Sequence, residues 1–302
     1  MSCGKLVFTK PALSIPDQAA LLQSRGLSIP DPARVQRYLS FIGYYRLAIY
    51  GQPYQVHGDP GHHFQPGVSF DDVLRLYIFD RELRLHVMDA VERIEVALRT
   101  VINNHMALKY GAMWYTEARL FDAKFDHADL MNRIRVETGA PGSGRNGDAF
   151  CIAYYKKYCA PSLPPCWMVG EVLSMGTWSR IFQGIKDRAD RIAIADTIGI
   201  MSPTLISWLR AVSYTRNICA HHGLLWNRTF TIKPRLEGPL AGIPITHFYA
   251  QALVIKQLIG RLTTASRWKD RLKNLVDACP RPIIEMGFPA AWWTSPIWTK
   301  PH

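Results

Sequence analysis

The chain has 302 residues, 48% of them hydrophobic, and a formal net charge of +12, which is enough apolar material for a large buried core and excludes a disordered chain. No basic start is followed by an apolar run, and none of the apolar stretches approaches the roughly 20 residues of a membrane helix; the expectation is a cytoplasmic protein without membrane contact. The six cysteines Cys3, Cys151, Cys159, Cys166, Cys219 and Cys279 form no C-x-x-C pair and are read as reduced thiols, while Cys159 and Cys166 with the remote His221 and His222 lack the paired spacing of structural zinc, so neither metal nor cofactor is expected.

Helical periodicity dominates, and an all-α fold is expected. In chain order the first helical patterns fall at about 17–25 and 31–42. The clearest runs from Phe70 to Tyr110, where Val73, Leu76, Phe79, Leu83, Val87, Val91, Ile94, Leu98 and Val101 recur at steps of three and four. Ser69 caps its start, Asp71 and Asp72 suit its first turn, and Gly111 ends it. At 1.5 Å per residue it is about 60 Å long, either one spanning helix or two broken near Asp80. Further patterns follow at about 127–138, 148–159, 167–184, 187–198, 203–222 and 247–275. The turn-rich stretch 139–147 has no G-K-[ST] ending and reads as a mobile surface loop. Strand alternation is confined to 5–10 and 229–233, short enough to pair as a ribbon or stay extended.

Charge is unevenly divided. Residues 1–150 hold 17 basic and 16 acidic side chains, residues 151–302 hold 19 and 8, so the net charges are +1 and +11. Lys256, Arg261, Arg267, Lys269, Arg271 and Lys273 stud the last predicted helix against a single Asp270. They are candidates for tracking RNA phosphates; a plain solvated face is the alternative.

The helix at 203–222 has Ser202 as a cap, Pro203 at its first position and an apolar stripe of Leu205, Trp208, Leu209, Val212 and Ile218. Its end reads Arg216, Asn217, Ile218, Cys219, Ala220, His221, His222. RNA cleavage by its own 2'-hydroxyl needs a base, an acid and positive charge on the phosphate, and Arg with His supplies all three. Asn217 and His221 lie one turn apart on one face, while Arg216 must reach them with its long side chain. The R-x4-6-H spacing recurs in Arg81 with His86 and Arg99 with His105, so spacing alone does not select the site.

The surrounding text does. The run RNICAHHGLLWNR at 216–228 resembles the signature of the AbiD/AbiF abortive-infection family, the Abi-like proteins, whose core belongs to the HEPN superfamily. LLQSRGL at 21–27, YLSFIGYYRL at 38–47, FDREL at 79–83, ERIEVALR at 92–99 and MGFP at 286–289 agree in order. Gly223 and Leu224 depart from it, since similar proteins more often carry a polar residue followed by Arg, which leaves Arg228 as the only basic residue between His222 and Lys233.

The resemblance implies a HEPN-like helical bundle over 69–235, with a helical N-terminal addition at 1–68 and a basic C-terminal one at 236–302, in one Abi-like unit. It implies a metal-independent endoribonuclease serving as toxin or antiphage effector, with Arg216 and His221 catalytic and Asn217, His222 and Arg228 supporting. Glu95 would orient Arg216; an internal i,i+4 pair with Arg99 competes for it. Relatives are associated with a small noncoding RNA, which offers a neutralising partner, and HEPN sites are commonly shared by two copies, which implies a homodimer. The rival expectation is an RNA-binding protein without catalysis; a DNA-binding regulator is weaker, because no helix-turn-helix signature stands out.

Overall fold

A carboxylate cap at Ser69 starts the longest helix. Its amide and hydroxyl both donate to Asp72 Oδ2, at 2.8 and 2.7 Å, so one carboxylate fixes the chain entry and sits at the positive end of the helix dipole. The computed structural model describes residues 9, 11–263 and 265–299, and is all-α. Two compact units divide it. The described residues up to Arg81 form the first with Ala278–Arg281; Glu82–Asp277 and the described residues from Pro282 form the second.

In the first unit, α1 (Ile15–Ser24) is capped by Ser14 and α2 (Pro32–Ile42) by Asp31, whose carboxylate accepts from the Arg34 amide at 3.0 Å. Gly43, at φ +90°, ends α2 and starts α3 (Tyr44–Gly51), a helix the periodicity did not reveal because only eight residues carry it. The resembling YLSFIGYYRL run is therefore a corner of two helices. Leu22, Val35, Leu39, Leu47 and Tyr50 form the core here.

α4 (Phe70–Tyr110) is one unbroken helix. Asp80, the position of the alternative break, is fully buried and accepts from the Tyr50 hydroxyl at 2.6 Å, so the helix tolerates the carboxylate by partnering it.

The second unit holds the rest of α4 with α5 (His127–Glu137), α6 (Ala149–Lys157), α7 (Cys166–Val172), α8 (Met175–Gly184), α9 (Arg188–Ile198), α10 (Ser202–Ala220), α11 (Phe248–Leu262), α12 (Trp268–Asp277) and α13 (Pro296–Thr299). Two expected helices are each divided. The 167–184 pattern breaks at Ser174, which caps α8 by accepting from the Thr177 amide. The 247–275 pattern ends at Leu262 and resumes at Trp268, so the six basic candidates belong to two helices.

α10 packs against α8, α9 and α11 and is buried along most of its length. Thr215 donates to Gln251 Oε1 at 3.2 Å, and Gln251 Nε2 donates to the Ile232 carbonyl at 3.3 Å, which ties α10, α11 and the intervening chain through a buried polar contact. Trp208, from the apolar stripe of this helix, is buried within the chain, its indole donating to the Arg235 carbonyl at 2.7 Å.

Residues 229–233 form no strand: Thr231 and Ile232 lie in a bend, and the Phe230 amide donates to the Thr246 carbonyl at 2.8 Å; residues 5–8 and 10 of the other alternating stretch, like Cys3, lie outside the described residues. At the neck of the 139–147 loop, Gly139 and Gly147 cross so closely that a Cβ on either would overlap the other's backbone or that of its neighbour. No helix among the described residues is long and apolar enough to cross a membrane.

Candidate active site

The end of α10 closes in a Schellman motif. His221 is the C-cap, the His222 amide donates to the Cys219 carbonyl at 3.0 Å, and the Gly223 amide donates to the Ile218 carbonyl at 2.8 Å. The left-handed position usually given to glycine is occupied by His222, at φ +55°. Sequence placed the cap at Ser202 with Pro203 first; the helix starts one residue earlier, with Met201 as N-cap.

This ending turns His221 outward. It is exposed, as is Asn217, while Arg216 is half-buried. The Asn217 carbonyl accepts from the His221 amide at 3.0 Å, and the Arg216 guanidinium lies 3.5 Å from Asn217 Oδ1. No carboxylate among the described residues lies in salt-bridge contact with Arg216, and His221 is not a core histidine.

Glu95 faces this group from α4. Burial raises its carboxyl above the ordinary range; the charges of Arg216 and then Arg99, and the Met175 amide at the start of α8, pull it back only in part. Arg99 is committed elsewhere, donating to Glu171 Oε2 at 2.5 Å, so the competing Glu95 pair with Arg99 is not made.

Two further guanidiniums serve the chain leaving α10. Arg228 donates to the Leu224 carbonyl at 3.0 Å and Arg84 to the Gly223 carbonyl at 3.4 Å. With Arg216 they gather positive charge where the helix dipole is negative. Arg84 was missed as a site residue because it reads as one charge on the polar face of a long helix; its position beside the FDREL run is the one signal that could have found it. Trp226 is buried and packs the turn.

The other two Arg-His spacings do not form comparable sites. His86 stacks on Trp268 with ring centroids 4.7 Å apart, and burial, then Arg271, pushes its imidazole down to about 4. His105 bonds Asp190 at 2.8 Å.

The basic residues near the C-terminus are largely engaged within the chain. Lys256 is buried and donates to the Ile297 carbonyl at 2.6 Å, Arg261 to the Gly199 carbonyl at 3.3 Å, and Lys269 to the Trp298 carbonyl at 3.2 Å. Arg271 pairs with Asp89 at 2.6 Å and Lys273 with Asp277. Arg267 is exposed. None of the described cysteines forms a disulfide, and no cluster of three or more His, Cys, Asp or Glu suited to a metal ion occurs among the described residues.

Neither curated proteins nor solved structures give a match to this chain. The family model described as Abi-like protein matches residues 37–227, from the last turns of α2 through the end of α10 and the buried Trp226. That match takes in the whole Arg216 to His222 segment and most of the chain, which belongs to the Abi-like protein family.

Proposed function

We propose that the protein is a metal-independent endoribonuclease of the HEPN type that acts as a toxin or antiphage effector in abortive infection. The observation that carries this reading is the placement of Arg216, Asn217 and His221 together at a solvent-facing helix end, with His221 exposed rather than packed into the core. Membership of the Abi-like family supports the biological role; the site chemistry supports the reaction.

In that reaction the 2'-hydroxyl of one nucleotide loses its proton and attacks the adjacent phosphorus. The P–O5' bond breaks, a proton goes to the leaving oxygen, and a cyclic phosphate remains. His221 is positioned as base or acid. Arg216 neutralises charge accumulating on the phosphate, Asn217 orients the phosphate or the ribose, and Glu95 holds the Arg216 side chain from behind. Arg84 and Arg228 keep the turn after α10 in place, so they act on position rather than on substrate.

Purified protein incubated with mixed RNA in EDTA tests this. Wild type is expected to cut, and His221→Ala and Arg216→Ala to lose cleavage while still binding RNA. Absence of cleavage by wild type, or equal cleavage by His221→Ala, counts against the nuclease and leaves RNA binding without catalysis.

A further inference from the structure

Beside Asn217, α8 and α10 enclose an open groove of about 410 Å³ whose lining carries arginines and no carboxylate. Arg133, Arg180 and Arg210 stand around it, all exposed. Asp129 is shared by the first two, at 2.7 and 3.2 Å, and neutralises part of their charge; no carboxylate among the described residues pairs with Arg210.

The floor is made of small and hydroxyl-bearing residues. Gly176 lies so close to α10 that a Cβ there would stand 3.2 Å from the Ser213 hydroxyl. Ser179 and Ser213 are only 4% and 8% exposed, yet both line the groove and neither hydroxyl has a hydrogen-bond partner among the described residues. Both hydroxyl oxygens stay accessible to solvent while their residues are held in the groove floor, and they are suited to donate to an anionic acceptor that the chain itself does not provide.

We infer that this groove binds a phosphodiester of the RNA strand adjacent to the one cleaved, an inference that rests on the nuclease reading above. Phosphate oxygens accept from the Ser179 and Ser213 hydroxyls and from the arginines, and the half-buried Tyr214 ring flanks the groove as a surface for a base. Asn217 belongs both to this lining and to the Arg216 group. It lies four residues, about 6 Å of helix rise, before His221, a spacing suited to two phosphate positions in sequence along one strand.

The test uses full-length His221→Ala protein and a labelled, thiouridine-substituted oligouridylate. Adding Arg210→Glu is expected to weaken binding about tenfold and to flatten the salt dependence by about 0.7 in log–log slope. Adding Arg119→Glu, at an exposed arginine paired with Glu117, is expected to leave both unchanged. Crosslinks should fall on peptides covering 174–180 or 210–217. Binding by the Arg210→Glu protein that equals the Arg119→Glu control, or crosslinks confined to other peptides, overturns the groove. If these results come out as expected but wild type does not cut RNA, the groove stands and the nuclease reading fails. If wild type cuts RNA while Arg210→Glu binds as before, the reverse holds.

Discussion

The Gly223 amide reaches back 2.8 Å to the Ile218 carbonyl, and this single closure forces His222 between them into the left-handed region at φ +55°. A β-carbon there costs about 1–2 kcal/mol relative to a right-handed position, and the cost is borne one residue from His221. The strained cap is what aims the neighbouring imidazole outward. His222→Asn, which tolerates this conformation, is expected to leave stability within about 0.5 kcal/mol, whereas His222→Val should destabilise by about 1–2 kcal/mol and reduce cleavage by disordering His221. Urea unfolding of both variants with cleavage assays checks the pair; equal stability of the two would show that the cap is not strained.

How far the sequence revealed this arrangement depended on the range of the interactions. α4 was legible because its period and its Ser69 to Asp72 cap are local. The break at Ser174 was not, because Leu173 and Met175 continue an apolar run and the cap is one hydroxyl accepting from Thr177. The order Arg216, Asn217, His221 was readable, but the outward direction of His221 depends on a left-handed residue that is not glycine, for which no sequence pattern exists. Ser179 and Ser213 carry no motif at all; they become a site only because α8 and α10 meet. The basic residues of α11 and α12 looked like a surface stripe, yet Lys256 turns inward to a carbonyl from 41 residues later in the chain.

His86 gives stability a pH dependence of predictable sign. Its folded imidazole is held down to about 4 by burial and then by Arg271 and Arg93, against the opposing pull of Asp89 and of the contact with Trp268. The unfolded chain protonates near 6.5, so between these values it binds the proton that the folded state refuses. The contribution is complete above pH 6.5, falls as pH drops toward 4, and amounts to a loss on the order of 3 kcal/mol once the window is crossed. His86→Phe, which keeps the stack on Trp268, should flatten that part of the profile. An unchanged slope in urea-derived stability between pH 7 and 4.5 would assign the dependence to other groups.

Asp190 joins α9 to the end of α4. Its carboxylate accepts from His105 at 2.8 Å, Lys109 at 2.6 Å and Tyr110 at 2.7 Å. Burial by itself raises this carboxyl, but the bonds from Lys109, His105 and Tyr110 outweigh it and hold it below the usual range. Its stabilisation is present above the unfolded carboxyl value and is lost as pH falls through the lower folded one, a window more acidic than that of His86. Asp190→Asn should cost about 2 kcal/mol at neutral pH and should leave RNA cleavage per folded molecule unchanged. A loss of cleavage without loss of stability would mean that His105 contributes to catalysis.

In the proposed reaction Glu95 positions Arg216 without touching substrate. Glu95→Gln keeps an oxygen for the Met175 amide and removes the charge that faces the guanidinium. The expected result is a fall in kcat of about tenfold with KM and melting temperature unchanged. Arg99→Ala, which frees Glu171 instead, should have a much smaller effect on kcat. Equal losses from both variants would point to general loosening of α4.

In-line cleavage uses an acid and a base on opposite sides of phosphorus, and one chain offers few imidazoles for the second role. His86 is buried against Trp268 and His105 is held by Asp190, while His222 is fixed by the cap. A second copy of the chain supplies the missing group if two α10 ends face one cleft, an isologous arrangement in which each copy gives Arg216 and His221. Arg216→Ala and His221→Ala proteins are each expected to be inactive as homodimers. Heterodimers of wild type with His221→Ala keep one His221 where the in-line reaction uses two, so cleavage in such mixtures should track the wild-type homodimer fraction measured by native mass spectrometry rather than the total amount of wild-type chain. Buried Trp208 cannot serve as the apolar contact, so the contact would have to come from side chains that remain outside, such as Leu85 and Val96 on α4. A monomer at working concentration with full activity, or heterodimers of wild type with His221→Ala that keep half of the wild-type activity, would rule out the shared site.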